Sequence, residues 1–338
     1  MFKHTCRLAL FVVVLQSFPC LWAEKKPTEA TEYCATRECH NSYKKKKYVH
    51  EPVAKGVCKL CHKLIDPKKH SFQLVRTGRE LCGNCHPEQA KGKYLHEPVA
   101  KSQCLECHNP HGSDNKFLIP VARLADLCLK CHKKKEHPTN PHQPFAEGKC
   151  IECHRNHNSN YRPLLKSNQR QLCFSCHKET KAELDKFKYI HKPVVDRGCG
   201  ACHEPHGSDY FRILVKEYTP EFYAPFDMAN FQLCFSCHKE NKFLVKETEN
   251  VTDFRNGQTN LHYLHVNNPE WGRTCRTCHA THASNEPRHL RKAVPFGGWE
   301  IPIQFEKTAT GGSCSPGCHA PRAYDRREPV DYKSDKKS

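Results

Sequence analysis

Apolar residues are scarce in this chain of 338 residues. Only 37% are hydrophobic and mean hydropathy is −0.78, against roughly 45–50% apolar in ordinary globular domains. That shortage excludes the two or three self-sufficient hydrophobic cores that the length would normally suggest. Methionine is nearly missing too: Met228 is the only one beyond the initiator, so thioether ligation of a metal is not a general option. After the first two dozen residues no apolar run approaches the roughly 20 residues needed to span a bilayer. Either such a chain does not fold, or something other than side chains fills its interior.

Cysteine and histidine are abundant, at 24 and 25 residues. A disulfide lattice of that size does not persist in a reducing compartment, so the N-terminus matters. Lys3 and Arg7 form a positive segment, Leu8–Leu15 (LALFVVVL) an apolar one, and Ala23 precedes a polar EKK. This pattern predicts a secretory signal over 1–23, with the mature chain starting near Glu24. Its removal takes His4, Cys6 and Cys20 and leaves 22 cysteines.

All 22 fall into pairs, and a histidine follows every pair at once. Nine pairs are C-x-x-C-H: Cys58 with Cys61, Cys82 with Cys85, Cys104 with Cys107, Cys128 with Cys131, Cys150 with Cys153, Cys173 with Cys176, Cys199 with Cys202, Cys234 with Cys237 and Cys275 with Cys278. Two are stretched, Cys34 with Cys39 and Cys314 with Cys318, and Pro316-Gly317 suits the bulge the latter needs. C-x-x-C-H reads as covalent haem c attachment. Cysteines three apart in a helical turn share a face, so both sulfurs reach one porphyrin and the next imidazole reaches its iron. Zinc sites give no reason for a histidine after every second cysteine, and thioredoxin-like pairs occur singly. The proximal ligands are therefore expected to be His40, His62, His86, His108, His132, His154, His177, His203, His238, His279 and His319, for eleven haems.

Thirteen histidines remain, two more than bis-histidine ligation of eleven irons requires. His50, His96, His142 and His191 each stand eight residues before a cysteine pair, whereas His111, His157, His206 and His282 lie three after a proximal histidine. A histidine three residues on cannot readily cross to the far face of its own porphyrin, so this second group is expected to ligate an adjacent haem. His70, His262 and His265 complete the distal candidates; the two surplus residues are sought among His137, His262 and His289. Without methionine ligands, low potentials follow.

The motifs come in doublets whose first cysteines start at 58, 104, 150 and 199, spaced 46 to 49 residues apart, followed by an enlarged fifth unit at 275. A fixed period of this kind usually is the fold. The expected divisions are 24–45 with a lone first motif, 46–137 with two doublets, 138–190 with the third, 191–260 with the fourth, 261–325 with the fifth, and a charged tail at 326–338. The expected fold is a multihaem cytochrome of short α-helices and coil wrapped around a chain of haems, with almost no β-sheet. Lys178–Lys188 is read as a short helix, Tyr210–Phe231 as an aromatic insertion that packs locally, and Val294–Thr310 as a small extended cap.

HEPVAKSQCLECHNPHGSD at 96–114 and HKPVVDRGCGACHEPHGSD at 191–209 resemble the doubled-CXXCH family of multihaem cytochromes, similar to electron-transfer cytochromes of metal- and sulfate-reducing bacteria. The resemblance departs at 62–70, where HKLIDPKKH lacks the H-x-x-H step and His70 is the available substitute. It implies a periplasmic protein, outer-membrane-associated or extracellular in some relatives. It also implies redox partners upstream and downstream, a porin or extracellular cytochrome among them. Formal charge is +18, or +16 without Lys3 and Arg7. Eleven ferric haems with two propionates each bring that to about +5, so the basic residues act as counterions and nucleic acid is not an expected partner. The function expected is an electron carrier rather than an enzyme. The alternatives are a reductase of nitrogen or sulfur oxyanions with one open-site haem, or the haem subunit of a porin-bound conduit or filament.

Overall fold

The computed structural model describes residue 34, residues 39–132 and residues 138–332. The expected signal at 1–23, His137 and the KSDKKS end of the tail lie outside the described residues. Two compact units are present: one runs to Thr77 and takes in His108–Pro120, and the other comprises Gly78–Cys107 and the chain from Val121 onward.

Repeated sequence makes repeated local structure in both units. Each H-x-P places its histidine in extended backbone as the cap of a one-turn helix, with proline at the first or second helical position: Glu51–Ala54, Glu97–Ala100, Gln143–Ala146 and Lys192–Asp196. Proline costs nothing there, because the first N–H groups of a helix have no intrahelical acceptor. A left-handed residue just before each cysteine pair (Gly56, Ser102, Gly148 or Gly198) then reverses the chain. The cysteines follow in a second single turn, for example Cys58–Leu60 and Cys150–Cys153.

Two-residue ladders tie one repeat to the next. In the first unit Tyr48–Val49 pairs antiparallel with Gly112–Ser113. In the second, Tyr94–Leu95 pairs with Asn158–Ser159, Asn140–Pro141 with Gly207–Ser208, and Tyr189–Ile190 with Ala283–Ser284. Every ladder lies directly before a leading histidine (His50, His96, His142, His191) and directly after a histidine of the second group (His111, His157, His206, His282). Three of the leading histidines extend the ladder themselves: His50, His96 and His191 donate their N–H to the carbonyls of His111, His157 and His282 at 3.1, 2.9 and 2.8 Å. Gly207 is required in its ladder: at φ 116° its Cβ would stand 2.7 Å from Pro141 Cα.

The expectation of almost no sheet is corrected: strands are numerous, although nearly all sheets have only two. The described residues form nineteen strands in nine sheets, eight of two strands and one of three. Backbone amides that must be paired, in a chain with few long helices, find partners across neighbouring repeats. The longest helix is Lys178–Lys186, nine residues. The cap region forms a hairpin of Ala293–Phe296 with Trp299–Pro302, then a three-stranded sheet of Phe305–Lys307, Gly311–Cys314 and Arg322–Asp325.

Among the described residues only twelve apolar side chains are buried. They cluster toward the fourth and fifth doublets, where Tyr218 and Phe231 of the aromatic insertion are 2% and 1% exposed. Elsewhere apolar side chains such as Leu60, Leu64, Phe72 and Leu105 stand open. Side chains alone do not supply an interior.

Candidate metal centre

Seven of the cysteine turns are closed by the histidine that follows them. The N–H of His86, His132, His154, His177, His203, His238 and His279 donates to the carbonyl of the first cysteine four residues back, at 2.9–3.0 Å. Both sulfurs and the imidazole therefore leave one short turn together. No disulfide joins any of the 22 cysteines from Cys34 to Cys318.

Successive motifs meet through their sulfurs in an alternating way. The thiols of Cys173 and Cys199 hydrogen-bond each other, as do those of Cys234 and Cys275, raising the first and lowering the second of each pair. Cys128 meets Cys150 and, in the first unit, Cys58 meets Cys34; burial, with the neighbouring thiol, pushes Cys128 up to about 11. These are first cysteines of neighbouring motifs. Within a doublet the second cysteines are the neighbours: burial and then the adjoining thiolate raise Cys107 beside Cys131, Cys153 beside Cys176 and Cys202 beside Cys237. Cys278, pushed up to about 11 chiefly by burial, feels Cys314 and Cys318. This alternation has no signal in the sequence.

Three of the cysteines expected to bind haem, Cys39, Cys61 and Cys85, lie in local settings of their own. Cys61 lies in the first unit, half-buried, and its carbonyl accepts from the N–H of Val75 at 2.9 Å. Cys85 lies in the second unit, exposed, and its N–H donates to the carbonyl of Cys82 at 3.2 Å. The first doublet is thus divided between the two units, and so is the second, whose His108 falls in the first unit and whose cysteines fall in the second. A hairpin of His62–Asp66 with Ser71–Leu74 follows Cys61 at once and stands where the H-x-x-H step runs in other repeats. Cys39 is exposed. Four residues rather than two separate it from Cys34, and His40 after it takes a left-handed backbone, φ 50°.

The imidazoles pair in a regular pattern. In the first unit His40 faces His70 and His62 faces His111, both with ring centres 5.9 Å apart and planes 11° and 25° from parallel. In the second unit four pairs lie at 5.8–6.1 Å and 13–18°: His96 with His132, His142 with His177, His154 with His206, and His191 with His238. Two more are His203 with His282 at 6.2 Å and 47°, and His265 with His319 at 6.5 Å and 37°. All eight join one histidine that follows a cysteine pair to one distal candidate. His262, placed among possible surplus residues by counting, packs by His279. Burial and then the charge of His279 push its imidazole down to about 4. His289 lies edge-on to His191 at 5.3 Å and 68° and faces no proximal histidine.

A metal–imidazole bond is about 2 Å and the ring centre lies roughly 1.1 Å beyond the nitrogen, so two imidazoles on one metal have centres roughly 6 Å apart. Eight pairs at that separation fit an iron between two histidines. The tautomers fit as well. Nδ1 donates to the carbonyl of Phe117 from His108, of Pro163 from His154, of Arg212 from His203 and of Arg288 from His279, at 2.8–3.0 Å. His50, His142 and His191 donate likewise to Pro110, Pro205 and Thr281, and His265 to Leu261. An Nδ1–H so engaged leaves the Nε2 lone pair for a metal and raises its basicity. Burial lowers His154, His238, His265, His279 and His282, favouring the neutral imidazole a metal requires.

The acceptor carbonyls nine residues past a proximal histidine come from strained turns. Phe117–Leu118, Arg212–Ile213 and Arg288–His289 all hold positive φ, between 51° and 60°. Each such residue costs roughly 1–2 kcal/mol. The bonds from Nδ1 offset that cost, as do backbone bonds such as Glu204 N–H to Ile213 O at 2.7 Å.

Among the described residues no three or more His, Cys, Asp or Glu side chains converge as a metal cage, which separates the arrangement from a zinc site. The decisive comparison is with a family model: the doubled CXXCH motif matches residues 50–91, 96–137, 142–182 and 191–243, more than half of the chain. The chain belongs to the doubled CXXCH motif family. It is a multihaem c-type cytochrome, and its C-x-x-C-H motifs are sites of covalently bound haem c. The family match covers the first four doublets and excludes the lone motif of Cys34 and Cys39 and the fifth doublet. No curated protein matches the cytochrome. No helix among its described residues is long and apolar enough to cross a membrane.

Proposed function

We propose that this cytochrome carries eleven haems, each held by one cysteine pair and two histidines, and relays electrons along them. The observation that carries the reading is the set of eight imidazole pairs with centres 5.8–6.5 Å apart. Haem c, when bound, supplies a one-electron iron couple whose potential depends on its axial ligands and surroundings. The polypeptide does the rest. Its cysteines fix each porphyrin, and its histidines fill both axial positions. Its carbonyls hold the imidazoles in the ligating tautomer.

Sulfur contacts favour a relay over isolated centres. In the second unit the motifs from Cys104 to Cys318 adjoin in chain order, through first cysteines between doublets and second cysteines within them. Two imidazoles per iron leave no open position for a substrate, which favours a carrier over a reductase. The signal-like N-terminus supports export to the periplasm, with an outer-membrane or extracellular acceptor downstream.

Intact mass and low-temperature electron paramagnetic resonance of protein made with a haem-maturation system test the reading. The expected result is eleven haems, all low-spin in the ferric state. Fewer than nine haems, or a high-spin signal from several, overturns it.

A further inference from the structure

Three buried polar atoms among the described residues lack a partner: Arg255 Nε, His289 Nδ1 and Arg273 Nη1. The first belongs to a guanidinium already engaged, since Arg255 Nη1 donates to the carbonyls of Gly257 and Arg326. The second sits on a ring packed against His191. Arg273 is different. Its guanidinium lies 5.0 Å from the centre of Tyr223 and 5.7 Å from that of Phe222, and those two rings meet edge to face at 4.8 Å. Its backbone is fixed by the ladder of Tyr223–Ala224 with Gly272–Arg273. The side chain is thus aimed, with an unmade N–H bond on a cation away from water, which costs several times the net worth of a made one.

The aim is toward the fifth doublet. Arg273 ends its strand two residues before Cys275, where the turn Cys275–Cys278 of that doublet begins. The chemistry that satisfies a buried guanidinium is a carboxylate, held by short charge-assisted hydrogen bonds. A porphyrin brings two.

We propose that Arg273 binds a haem propionate of the fifth doublet, an inference that rests on the multihaem reading above. The ring contacts with Tyr223 and Phe222 pre-set the fork, so that ordering it at the moment of haem attachment costs little. The pair also holds a positive charge beside the iron, which favours the ferrous state there.

The test uses the full haem-loaded protein with Arg273→Gln and Arg273→Lys, read by intact mass and by a redox titration followed in the Soret band and by paramagnetic resonance. Arg273→Gln is expected to keep every haem and to shift one midpoint downward; Arg273→Lys is expected to restore part of that shift. The shift should persist at high salt, because a buried pair is little screened. Loss of one haem in Arg273→Gln that Arg273→Lys restores supports the same contact. A titration that superimposes on wild type with all haems present overturns the proposal, and so does a shift abolished by salt. Wild-type protein without haem overturns the multihaem reading, and this contact with it.

Discussion

His206→Ala removes one imidazole while sparing the scaffold around it. The backbone ladder of Asn140–Pro141 with Gly207–Ser208 needs no His206 side chain, and Cys150 and Cys153 still hold their porphyrin. His154, whose ring centre is 5.9 Å from that of His206, keeps its Nδ1 bond to Pro163. One iron should therefore become five-coordinate or water-ligated, and the high-spin ferric signal should integrate to that one haem. A tethered ligand acts at an effective concentration on the order of millimolar or more. Free imidazole at tens of millimolar should then refill the position and return the signal to low-spin. The assay is paramagnetic resonance before and after imidazole, with intact mass to show that the haem number is unchanged. A spectrum that stays wholly low-spin with every haem present would refute the pairing of His206 with His154.

Further expectations follow from other parts of the molecule. His289→Ala should leave every haem low-spin by the same measurement, because that ring faces no proximal histidine. Replacing Cys150 and Cys153 together with alanine should lower the intact mass by one haem while the neighbouring doublets load normally. Gly311→Ala should destabilise the terminal sheet by at least about 1–3 kcal/mol, the usual range for overpacking, since its Cβ would stand 1.8 Å from Tyr324 O; thermal unfolding followed by circular dichroism checks this. Protein expressed without haem maturation should show no cooperative melting, as twelve buried apolar side chains among the described residues do not make a core for a chain of this size. A sharp transition in that material would count against porphyrins as the interior.

The chemistry was legible at once, because cysteine spacing and the adjacent histidine are local features that one turn of chain converts directly into geometry. The placement of three H-x-x-H histidines agrees with reach: His111, His206 and His282 lie opposite His62, His154 and His203, not their own neighbours. Counting histidines could not rank His262 against His289, since only burial against His279 distinguishes them. Nor could spacing show that Cys61 and Cys85, written like every other doublet, fall in different units, or that a hairpin pairing His62 with Leu74 follows Cys61. The two-residue ladders were invisible, because Gly-Ser or Asn-Pro carries no strand period and pairs with a segment more than 60 residues away. The carbonyl acceptors of Nδ1 were hidden for another reason. Their left-handed turns use Phe117, Arg212 and Arg288 in place of glycine, so no residue type marks the spot.

The short ladders make growth of this molecule modular. Each doublet presents a tyrosine- or asparagine-led edge in front of its leading histidine and receives a matching edge from the doublet beyond. Both edges are backbone, indifferent to which copy supplies them. A duplicated segment of 46 residues could be spliced in without stranding a donor, and would add two haem motifs at a stroke. Odd-numbered change is harder inside the array than at its ends, where the lone motif of Cys34 and Cys39 already sits.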